Sequence, residues 1–207
     1  MHHRSIIAAA AAIFSLAMGT GQAGAAAPEV GEPAPSFAGT TADGQTVDLA
    51  QYRGKTVVLE WTNHDCPYVR KHYGAKNMQA LQKQAADDGI VWLSVISSAP
   101  GRQGYLEGPD ALKVAADHGA APAGIVLDPD GKIGKAYAAR TTPHMYIVTP
   151  DGTLAYKGGI DDKATANPAD IPGATNYVKV ALAELAGGKP VSNPSTRAYG
   201  CSVKYAW

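Results

Sequence analysis

Thr56-Val57-Val58-Leu59-Glu60-Trp61-Thr62-Asn63-His64-Asp65-Cys66-Pro67 reads as a strand, a short polar loop and the first turn of a helix. The run from Thr56 to Trp61 is mostly apolar and rich in β-branched residues, as a strand covered on both faces should be. Pro67 suits the first helical position, where its missing N–H costs nothing. That puts Cys66 at a helix start, where unpaired N–H groups and the helix dipole lower a thiol's pKa and favour the reactive thiolate. His64, Arg70, Lys71 and His72 lie close in sequence and are expected to add positive potential. The competing reading is a buried, inert cysteine, a common fate for this residue type. The polar loop in front of Cys66 argues against it.

Working outward, residues 28–35 are Pro-rich and extended. Asp43-Gly44 is a tight-turn signal between strands at 37–41 and 46–49. After Cys66, Gly74 interrupts the helix, and Asn77 is expected to cap a second piece with Met78, Leu81 and Ala85 on one face. Strands follow at 90–97, 124–127, 145–148 and 153–156, with helices at 109–118 and 176–185. Pro129-Asp130-Gly131 and Pro150-Asp151-Gly152 are turns. The tail, 187–207, has few core-forming residues and reads as loose. No internal repeat or second-domain boundary is visible. This order predicts an α/β chain with a central mixed sheet flanked by helices, an N-terminal hairpin and an extended tail.

The N-terminus reads as an address. Arg4 precedes an apolar run from Ile6 to Met18, and Ala23-Gly24-Ala25 has the small-x-small form of a cleavage site. Thirteen helical residues rise only about 20 Å, short of a ~30 Å hydrocarbon core. The expected division is a signal peptide at 1–25, a main domain at 28–186 and the tail at 187–207. The destination is periplasmic or secreted, with no membrane attachment after cleavage. The 207 residues carry 18 basic and 18 acidic groups, so no basic stripe suggests nucleic acid as a partner. No phosphate loop or nucleotide fingerprint appears, and no cofactor is expected. The chain has two cysteines, Cys66 and Cys201, and an even pair in an oxidising compartment suggests a disulfide.

The string Gly31-Glu32-Pro33-Ala34-Pro35-x-Phe37, then Asp43-Gly44-x-x-x-x-Leu49, then Gly54-Lys55-x-Val57-Val58-Leu59 resembles the start of the redoxin families. These belong to the thioredoxin-like superfamily and include the alkyl-hydroperoxide-reductase and thiol-specific-antioxidant type. Thr142-Pro143 before a strand, then Asp151-Gly152-x-x-x-Tyr156-x-Gly158, is similar to the thioredoxin element in which a cis-proline faces the reactive cysteine. Asn63-His64-Asp65-Cys66-Pro67-Tyr68-Val69 with Gly200-Cys201-Ser202-Val203-Lys204 resembles a peroxiredoxin-like subfamily, Asp65 being an extra residue in that comparison. The resemblance implies a thioredoxin-like fold and a thiol-based oxidoreductase, antioxidant in role, with Cys66 as the attacking residue. Two departures stand out. Position 69 is Val, so the CxxC dithiol is missing. Leu59 and Asn63 replace the Pro and Thr of typical peroxiredoxins, with Thr62 one place away, and Thr142-Pro143-His144 stands where they carry Arg, with Arg140 out of register.

The candidate site residues are therefore Cys66, Cys201, Thr62, Asn63, His64, Thr142 and Pro143. Cys201 reads either as a resolving thiol or as half of a permanent disulfide, worth ~5 kcal/mol by chain entropy. Thr62 and Asn63 could donate to a substrate or only shape the loop. Trp61 reads as core. His144 follows Pro143 and is expected to approach Cys66, where with His64 it could tune the thiol or complete a soft metal site. The leaning is towards hydroperoxide reduction through Cys66, with Cys201 resolving and a thiol reductant, thioredoxin-like or small, as partner. The alternatives are exchange with disulfide substrates, or a non-catalytic redoxin that binds a metal or a partner.

Overall fold

The computed structural model describes residues 27–206; the expected signal peptide lies outside them. Within the described residues, seven strands form one mixed sheet and two short ones pair separately. In chain order the elements are β1 (Ala38–Thr41), β2 (Thr46–Asp48), β3 (Val57–Trp61), α1 (Pro67–Gly74), α2 (Asn77–Asp87), β4 (Val91–Ile96) and α3 (Gly108–His118). Then come β5 (Gly124–Leu127), α4 (Lys132–Ala136), β6 (Thr141–Thr142), β7 (His144–Val148), β8 (Leu154–Gly158), α5 (Tyr177–Ala186) and β9 (Cys201–Ser202). The sheet order is β2-β1-β5-β4-β3-β7-β8. This is the thioredoxin-like α/β fold expected from the sequence.

The centre of the sheet decides where Cys66 goes. β3 lies parallel to β4 and antiparallel to β7, and all five of its residues are buried. A strand between two partners satisfies its backbone completely, so its side chains can be apolar on both faces. One face packs Leu59, Trp61, Leu93 and Tyr146 under the hairpin and α4. The other packs Val58, Met145 and Ile147 under α1, α2 and α5, through Val69, Met78, Leu81 and Val178. Trp61 is fully buried and tilts against Tyr137 and Tyr146, as core residues do. No helix of the described residues is long and apolar enough to cross a membrane.

Three local expectations need correction. Asn77 does not cap α2: Lys76, in the left-handed conformation, precedes the helix, and the Asn77 side chain meets His72 Nδ1 at 2.9 Å instead. α4 is unheralded in the sequence because five residues including Gly134 make no amphipathic stripe; the buried Asp128 carboxylate holds its start through the N–H groups of Ile133 and Gly134. The tail is not loose. Lys157 N–H donates to Pro194 O, Val203 N–H to Arg140 O and Ala99 N–H to Lys204 O, and Tyr199 is buried.

Candidate active site

β3 ends at Trp61, and the chain turns through residues 62–65 before α1. Cys66 is the extended residue capping that helix, with Pro67 at the first helical position as expected. Its own N–H donates to Asn63 O at 3.0 Å, and its carbonyl accepts from Arg70 N–H at 2.9 Å. Asn63 is buried; its Oδ1 accepts from Asp65 N–H at 3.0 Å, so it braces the turn. A Cβ at Gly104 would overlap the Asn63 side chain, and that glycine lets the 99–107 segment close over the turn.

The second wall comes from far along the chain. Thr142-Pro143 is a cis peptide, and the Cys66 thiol donates from Sγ to Thr142 O at 3.1 Å. β9 pairs with β6 so that Thr142 stands opposite Cys201. Gly200 makes this approach possible: its φ is +138°, and a Cβ there would overlap the Thr142 carbonyl. Cys66 is fully buried and Cys201 half-buried, both as thiols.

Their electrostatics differ in sign. Burial pushes the Cys66 thiol up. The Cys201 thiol, the N–H groups of Val69 and Cys201, and the Thr142 side chain all favour the anion and outweigh burial, so the net shift is downward. The Thr142 hydroxyl is buried without a hydrogen-bond partner. Cys201 is pushed up to about 11, first by burial and then because its proton is held by the Cys66 sulfur and its ionisation would face the Cys66 charge. The surroundings thus favour the anion at Cys66 and the proton at Cys201.

The structure brings Cys66, Cys201, Thr142 and Pro143 together. Thr62, Asn63 and His64 instead line a small cavity of about 40 Å³ between α1, α3 and β4, with Tyr73, Ser94 and His118 among its other walls. The Thr62 side chain favours the anionic form of Glu60 rather than facing the thiol. His64 Nε2 lies 3.6 Å from Asp65 Oδ2, its Nδ1 is buried without a partner, and Asp65 also takes Arg70 at 3.1 Å.

The expected positive field around Cys66 needs correction. Lys71 is buried and turned to Asp161 at 3.6 Å, and His72 to Tyr199 and Asp161 at 3.2 and 3.8 Å. Burial, against the pull of Asp161 and with the push of Lys71, lowers His72 to about 4, so it is neutral at ordinary pH. His144 is likewise lowered to about 4, by burial and then by Arg140 and Lys157, and its partners are Arg140 N–H and Tyr146 OH, not Cys66. Among the described residues, no three His, Cys, Asp or Glu side chains are grouped to hold a metal.

Two buried residues near the site were passed over in the sequence. Glu60 accepts from Tyr73 OH at 2.9 Å, Trp92 Nε1 at 2.9 Å, Ser94 Oγ at 3.0 Å and Gln82 Nε2 at 3.4 Å. Burial still raises its pKa against all these donors. The signal was legible, since a lone carboxylate inside an apolar strand is unusual. Tyr199, two residues before Cys201, had no such signal.

The AhpC/TSA family matches residues 30–157. Among solved structures, an uncharacterized conserved protein from Geobacillus kaustophilus is 24% identical with a TM-score of 0.73, over 86% of this chain and 93% of that one. A hypothetical protein from Sinorhizobium meliloti is 19% identical with a TM-score of 0.73, over 87% and 97%. A candidate thiol:disulfide interchange protein, DsbE, from Chlorobium tepidum is 22% identical with a TM-score of 0.52, over 63% and 85%. These likenesses establish the fold. No curated protein matches the chain.

Proposed function

The chain belongs to the AhpC/TSA family, and from that premise we propose that Cys66 and Cys201 form a dithiol–disulfide couple exchanging with external thiols and disulfides. The observation that carries this reading is the assembled pair: the Cys66 thiol donates to Thr142 O at 3.1 Å, and Cys201 stands opposite Thr142 in the β6–β9 ladder. In the reducing half, the Cys66 thiolate attacks a substrate disulfide and expels one thiolate. Cys201 then loses its proton to solvent and attacks the Cys66 sulfur, expelling the second thiolate and leaving the Cys66–Cys201 disulfide. An external dithiol reverses the sequence. Cys66 is fully buried, so the two-residue β6–β9 ladder parts to admit substrate. The N-terminal address read in the sequence supports a working place for this couple outside the cytosol.

Hydroperoxide reduction is the second reading. Family membership favours it, and Cys201 stands ready to capture a sulfenic acid on Cys66. The charge arrangement is less favourable: Arg140 is exposed, and Arg70 engages Asp65 and the His64 carbonyl. Stopped-flow mixing of the reduced protein with hydrogen peroxide and with a protein disulfide tests the choice. The expected result is rapid exchange and peroxide oxidation no faster than that of a free thiol. The reverse result selects peroxide reduction, and slow reaction with both selects a non-catalytic binding module.

A further inference from the structure

The tail approaches Cys66 by way of a buried aromatic side chain, Tyr199. The Tyr199 ring is buried against α1 and the segment after β8. Its hydroxyl donates to Asp161 Oδ1 at 2.5 Å and lies 3.2 Å from His72 Nε2. Tyr68 meets the ring edge-on at 5.8 Å, and the Lys71 ammonium lies 5.6 Å from its centroid. The socket is stiff because its polar parts bind one another. Lys71 Nζ donates to Lys163 O at 2.8 Å and pairs with Asp161, whose Oδ1 also accepts from Lys163 N–H at 2.9 Å.

Three of the residues around this ring belong to the helix that starts at Cys66. From Cys66 to Lys71 and His72 the helix rises about 8–9 Å. From Tyr199 to Cys201 two extended residues cover about 7 Å. A ring seated on the second turn of α1 therefore returns the tail to the first turn, where the thiol is. Beyond Cys201, Val203 N–H bonds Arg140 O, a backbone contact open to almost any residue. The Tyr205 hydroxyl also donates to Ala139 O at 2.8 Å, so the tail is held on both sides of Cys201; the side-chain anchor that sits on the helix starting at Cys66 is Tyr199.

We infer that Tyr199 is the positioning residue that sets the effective concentration of Cys201 at Cys66. This rests on the Cys66–Cys201 couple proposed above. In the reduced protein the docked tail holds Cys201 against its partner; with the anchor weakened, the tail spends part of its time away and disulfide formation is disfavoured by that fraction.

Equilibrating the full chain with reduced and oxidised glutathione measures that concentration directly, with peptide mapping to identify the bond. One oxidised glutathione takes up the two electrons of the pair and leaves as two thiols. Tyr199→Phe keeps the ring and loses both hydroxyl contacts; it should lower the constant about tenfold, as expected for a lost hydrogen bond to a charged group. Tyr199→Ala should lower it about a hundredfold. A constant unchanged in both variants, even with a lower melting temperature, overturns the inference and leaves Tyr199 a structural residue. Should Tyr199→Ala fail to fold, Tyr199→Phe decides alone. If the wild-type chain forms no Cys66–Cys201 bond at any glutathione ratio, the couple itself is overturned.

Discussion

Cys66 and Cys201 meet, yet they are held in opposite ways. Cys66 belongs to the core: it follows a strand paired on both sides and opens a helix whose Val69 and Tyr73 are buried. Cys201 belongs to a two-residue strand on a tail held by the Tyr199 socket, by the Tyr205 and Thr196 side chains and by a few backbone bonds. The first thiol is lowered by what surrounds it and the second is raised. The contrast teaches a division of labour. On the proposed reading, the core side stabilises charge and supplies the nucleophile, while the tail side supplies the second sulfur and parts to admit substrate.

The hardest test of this division removes each sulfur in turn. Cys66→Ser should reduce exchange with a protein disulfide to background. Cys201→Ser should still form a mixed disulfide at Cys66 but fail to release it, which mass mapping of trapped species would show. Equal losses at the same step in both variants would erase the distinction.

Gly200→Ala attacks the tail side alone. The added Cβ meets the Thr142 carbonyl, and φ of +138° is strained for any other residue. The glutathione equilibrium constant should fall about a hundredfold, in line with loss of tail docking. The melting temperature should drop by only a few degrees, because the seven-stranded sheet pairs without β6 and β9. A large fall in melting temperature would make the tail part of the core.

The pH dependence of alkylation sharpens the electrostatic half. Burial works against the Cys66 anion while Cys201 and the nearby N–H groups favour it, so the midpoint for Cys66 should lie below the ~8.5 of a free thiol. Cys201→Ala deletes one of the favouring donors and should move the midpoint upward. A midpoint that stays put would assign the lowering to the helix start alone.

The smallest effect expected is on stability in acid. Burial keeps His72, in the tail socket, and His144, in the core, at about 4 when folded, below the ordinary ~6.5. Between those values the unfolded chain binds more protons, so each histidine's contribution is lost as pH falls from about 6.5 towards 4. Glu60 and Asp128, raised by burial, pull the other way. His72→Gln and His144→Gln should each flatten the fall by about 1–2 kcal/mol in denaturant titrations across that range. Cleavage of the tail by a protease should respond to acid through His72 and not through His144.

The sequence by itself determined the succession of the main strands and helices along the chain, the hairpin, the helix start at Cys66 and the family. Each is written in neighbouring residues, through β-branched runs, Asp-Gly turns, Pro67 after Cys66 and Gly119 closing α3. It did not contain the partners of isolated polar side chains. Lys71 and His72 are close to Cys66 in sequence but turned by α1 towards Asp161, ninety residues on, and His144 is turned into the core by the alternation of β7. The tail carries too few apolar residues to announce that it docks; Tyr199 is buried because its hydroxyl donates to Asp161 and meets His72 Nε2. Only the tertiary structure decided that Cys201 stands at Cys66, because buried polar groups are stable only where distant segments satisfy them, and periodicity along the chain carries no record of which segments those are.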